Sequence, residues 1–282
     1  MGNLFKKYKI HLSKKLGQNF LINKGAVKRV IEAANLQPDD IVLEIGPGTG
    51  ILTKELAKRI KKVIAVEKDP NLARILNNEL RIKNIKNVEI VQEDILKFQI
   101  ANSKLQTNSK LQNPNYKIVA NLPFYLTAPV IRKFLESTGG RPLQMALVVQ
   151  KEVGQRICAK PPDMNLLAVS IQFYAKPEII SYISKKSFWP SLKVDSAIIK
   201  IVPHQFRVQV SRQFREQFFR IVKAGFSQPR KQLINNLSRG LKIDKEEIKA
   251  WLLKNNIQPT QRAETLSVED WIKLTKSFNI KK

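Results

Sequence analysis

Residues Lys117 to Leu126 read KIVANLPFYL, an apolar run that breaks into Asn-Leu-Pro-Phe where a buried strand should end. Asn121 is a poor strand residue and Pro123 cannot donate a ladder hydrogen bond. Asn121, Leu122, Pro123 and Phe124 therefore read as a tip built for chemistry. The exocyclic amine of an adenine is a weak nucleophile, because its lone pair is delocalised into the ring. Two acceptors, the Asn121 side-chain oxygen and a neighbouring backbone carbonyl, hold the N–H groups and leave the lone pair aimed at an electrophile. Pro123 fixes the backbone and Phe124 stacks on the base. An isolated Asn-x-Pro is usually a strand followed by a turn, so this reading depends on what else shares the edge of the sheet.

A second stretch, EIGPGTG, places Gly46, Gly48 and Gly50 in a strand-to-helix turn. Glycines there let the backbone approach a ligand and aim free helix N–H groups at it. The dinucleotide fingerprint needs its last glycine at position 51, which is Ile51, so a nicotinamide site is disfavoured. Glu67 ends the next strand, where such sheets hold a carboxylate against ribose hydroxyls. Glu93-Asp94 ends the third, and a carboxylate there accepts from an adenine amino group. All of these residues fall at the carboxyl ends of strands, where open α/β sheets bind ligands.

The elements that must position them alternate. A helix is expected over residues 25–36, then the strand IVLEIG, a helix over ILTKELAKRI, the strand KKVIAVEKD and a helix over PNLARILNNELRIK with Pro70 in its first turn. NVEIVQED, YKIVANL and QMALVVQKE read as further strands, and TAPVIRKFLES as a helix. Strand and helix alternating from about residue 40 to 200 predict a doubly wound, mainly parallel α/β sheet. Between the third and fourth strands, NSKLQ occurs twice, at Asn102–Gln106 and Asn108–Gln112, in a polar insertion with no expected chemistry. PEIISYISKKSFWPSLKVDSAIIKIVP suggests two antiparallel strands around a loop carrying Phe188, Trp189 and Pro190. From about Val208 the pattern is helical, so the expected domains are 1–207, catalytic, and 208–282, a small all-helical RNA-binding domain.

Composition narrows the partner. The chain of 282 residues carries 50 Lys+Arg against 23 Asp+Glu, a formal charge of +27, which points to a polyanion such as nucleic acid. The excess concentrates from Met1 to Ile31, with eight Lys/Arg and no acid, and from Ser184 to Gly240, with twelve against Asp195 and Glu216. One cysteine, Cys158, and two scattered histidines, His11 and His204, leave no expected disulfide or metal cluster. Cys158 reads as a half-buried helix residue. No apolar run approaches the roughly 20 residues of a membrane span, and the amino terminus lacks a signal-peptide pattern, so a cytoplasmic protein is expected.

KKLGQNFL, VLEIGPGTGILT, AVEKD, EDIL, IVANLPFY, SFWPSLKVDSA, KAGFSQPRKQLINNL and RAETLS together resemble the ribosomal RNA adenine N6-dimethyltransferases, S-adenosylmethionine-dependent enzymes of the Rossmann-like class I methyltransferase fold. The resemblance spans nearly the whole chain. It implies that Asn19 and Leu21 fold over the cofactor, Gly46 lies against its methionine part with Gly48 in the same turn, Glu67 takes the ribose hydroxyls and Asp94 the adenine amine. It implies that Asn121 lies next to the reacting methyl, Leu122 and Pro123 lend carbonyls, and Phe124 and Phe188 sandwich the target base. Leu192 is a departure, since related chains usually have a second proline there after Pro190, and this bears on the stiffness of the target loop.

The implied reaction is dimethylation of two neighbouring adenines near the 3′ end of small-subunit ribosomal RNA, by a monomer acting on a partly assembled 30S particle. Lys14, Lys15, Arg230 and Lys231 are the candidates for phosphate contacts. SQPRKQLINNL and RAETLS resemble the small-subunit group. A large-subunit, resistance-type dimethyltransferase, a non-catalytic RNA-binding assembly factor and a nucleotide-dependent oxidoreductase stand as the alternatives.

Overall fold

A computed structural model describes residues 8, 17–99, 116–137, 140–204 and 210–278. Lys14, Lys15, His11 and the repeated NSKLQ stretch lie outside the described residues. The central sheet starts from short runs that are apolar on both faces. β2 (Ile41–Ile45), β3 (Lys62–Glu67), β4 (Val88–Gln92), β5 (Lys117–Asn121) and β6 (Gln144–Gln150) pair in parallel. β9 (Ser196–Pro203) adds antiparallel to β6, and β7 (Ala175–Ile183) sits beside β9 at the edge. The order is β4-β3-β2-β5-β6-β9-β7.

Val42, Val63, Ala65, Val119, Ala146 and Val148 turn one way and join a core with α1 (Lys24–Ala33) and α2 (Ile51–Ala57). Leu43, Ile64, Val66, Ile118 and Leu147 turn the other way and are buried as well, so both faces are covered, as a parallel sheet requires. Local signals set the helix starts. Asn23 caps α1 by accepting from the Ala26 N–H, and Asp69 caps α3 (Pro70–Ile82) by accepting from the N–H groups of Asn71 and Leu72, with Pro70 opening the helix.

After β2 the chain winds outward to β3 and β4, then returns to β5 on the other side of β2. That reversal places the carboxyl ends of β2 and β5 side by side, with Ile45 in register with Ala120. Gly46 and Asn121 follow directly, so two motifs far apart in sequence become neighbours at the switch point of the sheet. A two-stranded ribbon, β1 (Phe20–Leu21) with β8 (Phe188–Trp189), pairs Phe20 with Trp189 and Leu21 with Phe188.

Two compact units emerge, one within 1–154 and 177–203 and one within 155–176 and 204–282. The stretch 155–176, expected with the sheet, groups with the helical unit because Phe173 stacks on Phe218 at 4.2 Å and packs edge-on to Phe219. TAPVIRKFLES forms α4 (Thr127–Leu135), and two short helices beyond it, α5 (Lys151–Ile157) and α6 (Leu166–Gln172), were not legible as such. Cys158 lies one residue past α5 and is half-buried. The helical unit continues through α7 (Arg212–Gly225), α8 (Leu233–Leu241), α9 (Lys245–Lys254) and α10 (Val268–Lys276), the last opened by a reciprocal Ser267–Asp270 cap. PRKQ, read as the start of a helix, is instead the turn before α8.

Candidate active site

One cavity in the first unit is lined by Asn19, Leu21, Gly46, Gly48, Glu67, Asp94, Asn121, Leu122, Pro123, Phe124 and Phe188. The three glycines of the turn, at φ +65, +55 and +75, do different work. A Cβ on Gly46 would meet nothing within 4 Å, so the missing side chain leaves open space above the turn. A Cβ on Gly48 would stand 2.8 Å from the Phe20 ring, and one on Gly50 2.3 Å from Leu76 Cδ1. Gly46 shapes the cavity, whereas Gly48 and Gly50 admit the packing beneath it.

Glu67 is 7% exposed. Its Oε2 accepts from the Gly48 N–H at 3.1 Å and its Oε1 from the Asp69 N–H at 2.9 Å. Burial pushes its carboxyl above the usual carboxylate range, opposed by the N–H groups of Asp69, Gly48 and Lys68. Asp94 lies at the next strand end. Its Oδ2 pairs with Lys68 Nζ at 2.9 Å and its Oδ1 accepts from the Leu96 N–H at 2.9 Å. Lys68, then Leu96, hold this carboxyl below its ordinary value.

At the β5 tip, Asn121 Nδ2 donates to the Asn19 backbone carbonyl at 2.9 Å. That bond sets the amide orientation and keeps Oδ1 as the free-facing acceptor of the pair. The Asn19 side chain folds back and donates to the Gly17 carbonyl at 3.1 Å. Leu122 is 2% exposed and its N–H donates to Val148. The Pro123 carbonyl already accepts from the Leu126 N–H at 2.9 Å, closing the short 3₁₀ turn over Phe124–Leu126. Of the two carbonyls, that of Leu122 is therefore the less committed. Phe124 packs half-buried against the core, and Phe188 is 3% exposed in the cavity lining.

Leu192 lines the same cavity and is buried, its N–H donating to the Lys185 carbonyl at 3.2 Å. The Ser191 hydroxyl donates to the same carbonyl, and Asp195 accepts from the Lys185 N–H. Packing and these bonds tie the loop around Leu192. Arg230 and Lys231 lie exposed in the turn between α7 and α8 of the helical unit.

The sequence reading passed over Lys68 and Glu44. Glu44 alternates inward on β2, wholly buried, and burial pushes its carboxyl up to about 8, with Thr53 opposing and the charge of Glu67 adding to the rise. An acid inside an otherwise apolar strand was the visible signal. Among the described residues no group of His, Cys, Asp and Glu could hold a metal.

A glycine turn after the first parallel strand, acids closing the next two and an Asn-Leu-Pro-Phe tip at the reversal of strand order define a class I methyltransferase fold and site. Residues 10–280 match the ribosomal RNA adenine dimethylase family, and the chain belongs to that family. It is 43% identical over 267 residues to a ribosomal RNA small subunit methyltransferase A of Dehalococcoides mccartyi, covering 95% of this chain and 88% of that one. To the protein of the same name from Clostridioides difficile it is 38% identical, covering 98% and 93%. Among solved structures, a dimethyladenosine transferase from Plasmodium falciparum superposes with a TM-score of 0.75 at 25% identity, covering 92% and 97%. The 23S rRNA methyltransferase ErmE shares the fold at a TM-score of 0.72 and 24% identity, covering 93% and 100%.

Proposed function

We propose that this chain transfers methyl groups from S-adenosylmethionine to the exocyclic N6 amines of two neighbouring adenines in small-subunit ribosomal RNA, giving dimethyladenine. The observation that carries this reading is the Asn121 amide, turned by the Asn19 carbonyl, in one cavity with Glu67 and the open turn at Gly46. The relatives named small subunit methyltransferase A, near 40% identity over almost the full length, support the small-subunit choice.

The cavity fits the cofactor. Glu67 keeps acceptor capacity on both oxygens beyond its two backbone partners, which suits a ribose diol. Asp94 offers a carboxylate to an adenine amine, and Ile45, Val66 and Ile95 supply apolar walls. Leu21, paired with Phe188 on the ribbon, adds to the apolar lining. Bound there, S-adenosylmethionine supplies an electrophilic methyl on a sulfonium, so alignment is needed more than a strong base.

The side chains of this protein provide that alignment. Asn121 Oδ1 and the Leu122 carbonyl accept the two amine hydrogens, and Phe124 and Phe188 present apolar ring surface to the base. The methylated amine is cationic and acidic and releases one proton to solvent; a single N–H remains, which either acceptor still holds, and this favours a dimethylated product. We place the substrate in a partly assembled small subunit and the enzyme in the cytoplasm as a monomer. Among the described residues no helix is long and apolar enough to cross a membrane.

The test is incubation with S-adenosylmethionine and partly assembled small subunits, with mass spectrometry of the RNA. Dimethyladenine at adjoining positions is expected, and methylation confined to large-subunit RNA overturns the assignment. If Lys14, Lys15, Arg230 and Lys231 each neutralise a phosphate, each alanine substitution flattens the slope of log affinity against log salt by about 1.

A further inference from the structure

Two large exposed aromatic side chains, Tyr125 in the cavity lining and Trp189 next to two lining residues, serve no part of the reaction described above. Tyr125 is 52% exposed and Trp189 is 40% exposed. Each directly follows an inward-facing aromatic, Phe124 in one case and Phe188 in the other. On β8 the alternation of a strand sends Phe188 into the cavity and Trp189 to the opposite side. The ribbon pairs Trp189 with Phe20, itself a wall of the cavity, and Tyr125 also lines it. A Cβ on Gly17 would stand 3.4 Å from the Tyr125 ring, so this ring packs beside the segment that leads into the same ribbon.

The charge on the Trp189 loop is one-sided. Lys185, Lys186 and Lys193 are exposed on the loop that carries Trp189, and Asp195, the loop's acid, already accepts from the Lys185 N–H. Single exposed aromatics are ordinary on protein surfaces. Tyr125 in the cavity lining, and Trp189 next to that lining on a loop with three exposed lysines, make the combination that binds unpaired nucleic acid: ring faces for bases and cations for the backbone. A base drawn out of a stack leaves its neighbour without a partner, and an exposed aromatic replaces the lost stacking.

We propose that Trp189 and Tyr125 are stacking platforms for the nucleotides adjoining the target adenine, with Lys185, Lys186 and Lys193 contacting the flanking phosphates. This rests on the RNA methylation proposed above. It adds that while one adenine of the pair is in the cavity, its neighbour lies on one of these two rings.

The experiment uses the full chain and partly assembled small subunits whose RNA carries 2-aminopurine beside the target adenine. Stacking quenches the fluorescence of that base. Wild-type protein should quench it. Trp189→Ala should abolish most of the quenching and weaken the subunit by roughly 5- to 150-fold in KM, the range for losing one base–aromatic stack, with S-adenosylmethionine affinity unchanged. Trp189→Phe should restore most of the effect, and Trp189→Leu, which keeps apolar bulk without a ring, should not. Tyr125→Ala and Tyr125→Phe form the parallel pair. If wild-type protein methylates the RNA and Trp189→Ala and Tyr125→Ala leave quenching and KM unaltered, the platform is overturned. A change in self-association with unaltered quenching also overturns it, in favour of a contact between copies. Absence of methylation by the wild type counts against the proposed function itself. Should an alanine variant fail to fold, the Phe and Leu variants carry the same comparison.

Discussion

Replacing Glu67 by glutamine keeps the side chain's shape and removes its charge. In the native protein the two carboxylate oxygens take one backbone N–H each, from Gly48 and Asp69 at 3.1 and 2.9 Å. Each oxygen has a second lone-pair site, and those are what a ribose diol would use. In the glutamine variant one oxygen becomes an NH₂ group, which faces a backbone N–H as a second donor and offers no acceptor to the ribose. A hydrogen bond to a charged group contributes about 1.5–3 kcal/mol. At about 1.4 kcal/mol per tenfold, S-adenosylmethionine should bind roughly 10- to 150-fold more weakly to Glu67→Gln.

Isothermal titration of both proteins measures this, with thermal unfolding run alongside to show that the variant is folded. The pH profile adds an independent readout. Burial raises the Glu67 carboxyl, so its protonation begins at a higher pH than for an ordinary glutamate. Wild-type affinity should therefore fall as pH drops into that range, and the variant's should stay flat because glutamine does not titrate. Equal affinities, or parallel pH profiles, would refute the ribose role for Glu67.

Asn121→Ala should lower methylation by about 10²-fold or more, the cost of a misplaced reacting group, while RNA affinity, dominated by phosphate contacts, stays within a few-fold; filter binding and single-turnover rates on the same preparation decide it. Gly50→Ala forces φ +75 on an L-residue and drives a Cβ to 2.3 Å from Leu76 Cδ1, so urea unfolding should show a loss of about 2–4 kcal/mol. Gly46→Ala meets nothing within 4 Å, and should cost only the conformational part, about 1–2 kcal/mol, yet reduce cofactor affinity by obstructing the cavity. Glu44 has its carboxyl raised from 4.5 to about 8, so the folded protein keeps a proton that the unfolded chain has released. Stability should then fall by roughly 1.4 kcal/mol per pH unit between those values, with no effect below the window and the full cost above it. Glu44→Gln should lose this component, its urea midpoint gaining on the wild type as pH rises through the window; parallel curves would remove Glu44 as the source.

The strands, the glycine turn and the acids at strand ends were legible in the sequence because their causes are local. A parallel strand covered on both faces must be an unbroken apolar run, and Gly46, Asp69, Pro70 and Pro123 mark where such runs and their helices begin or end. For the same reason Glu67, Asp94 and Asn121 could be placed on strand tips without coordinates. What brings them into one cavity is the reversal of strand order between β2 and β5, which sets Gly46 beside Asn121. That is a property of pairing between residues more than seventy positions apart.

Tertiary contact also decided the roles that residue type left open. Gly48 is needed for the Phe20 ring and Gly50 for Leu76, the Asn121 amide is turned by a carbonyl near the amino terminus, and Leu192 is buried in the cavity wall. Lys68 reached Asp94, and residues 155–176 joined the helical unit through Phe173 and Phe218. Sequence patterns report which face of an element is apolar and where it stops. Which distant side chain meets that face depends on how the sheet is wound, and only the folded chain carries that information.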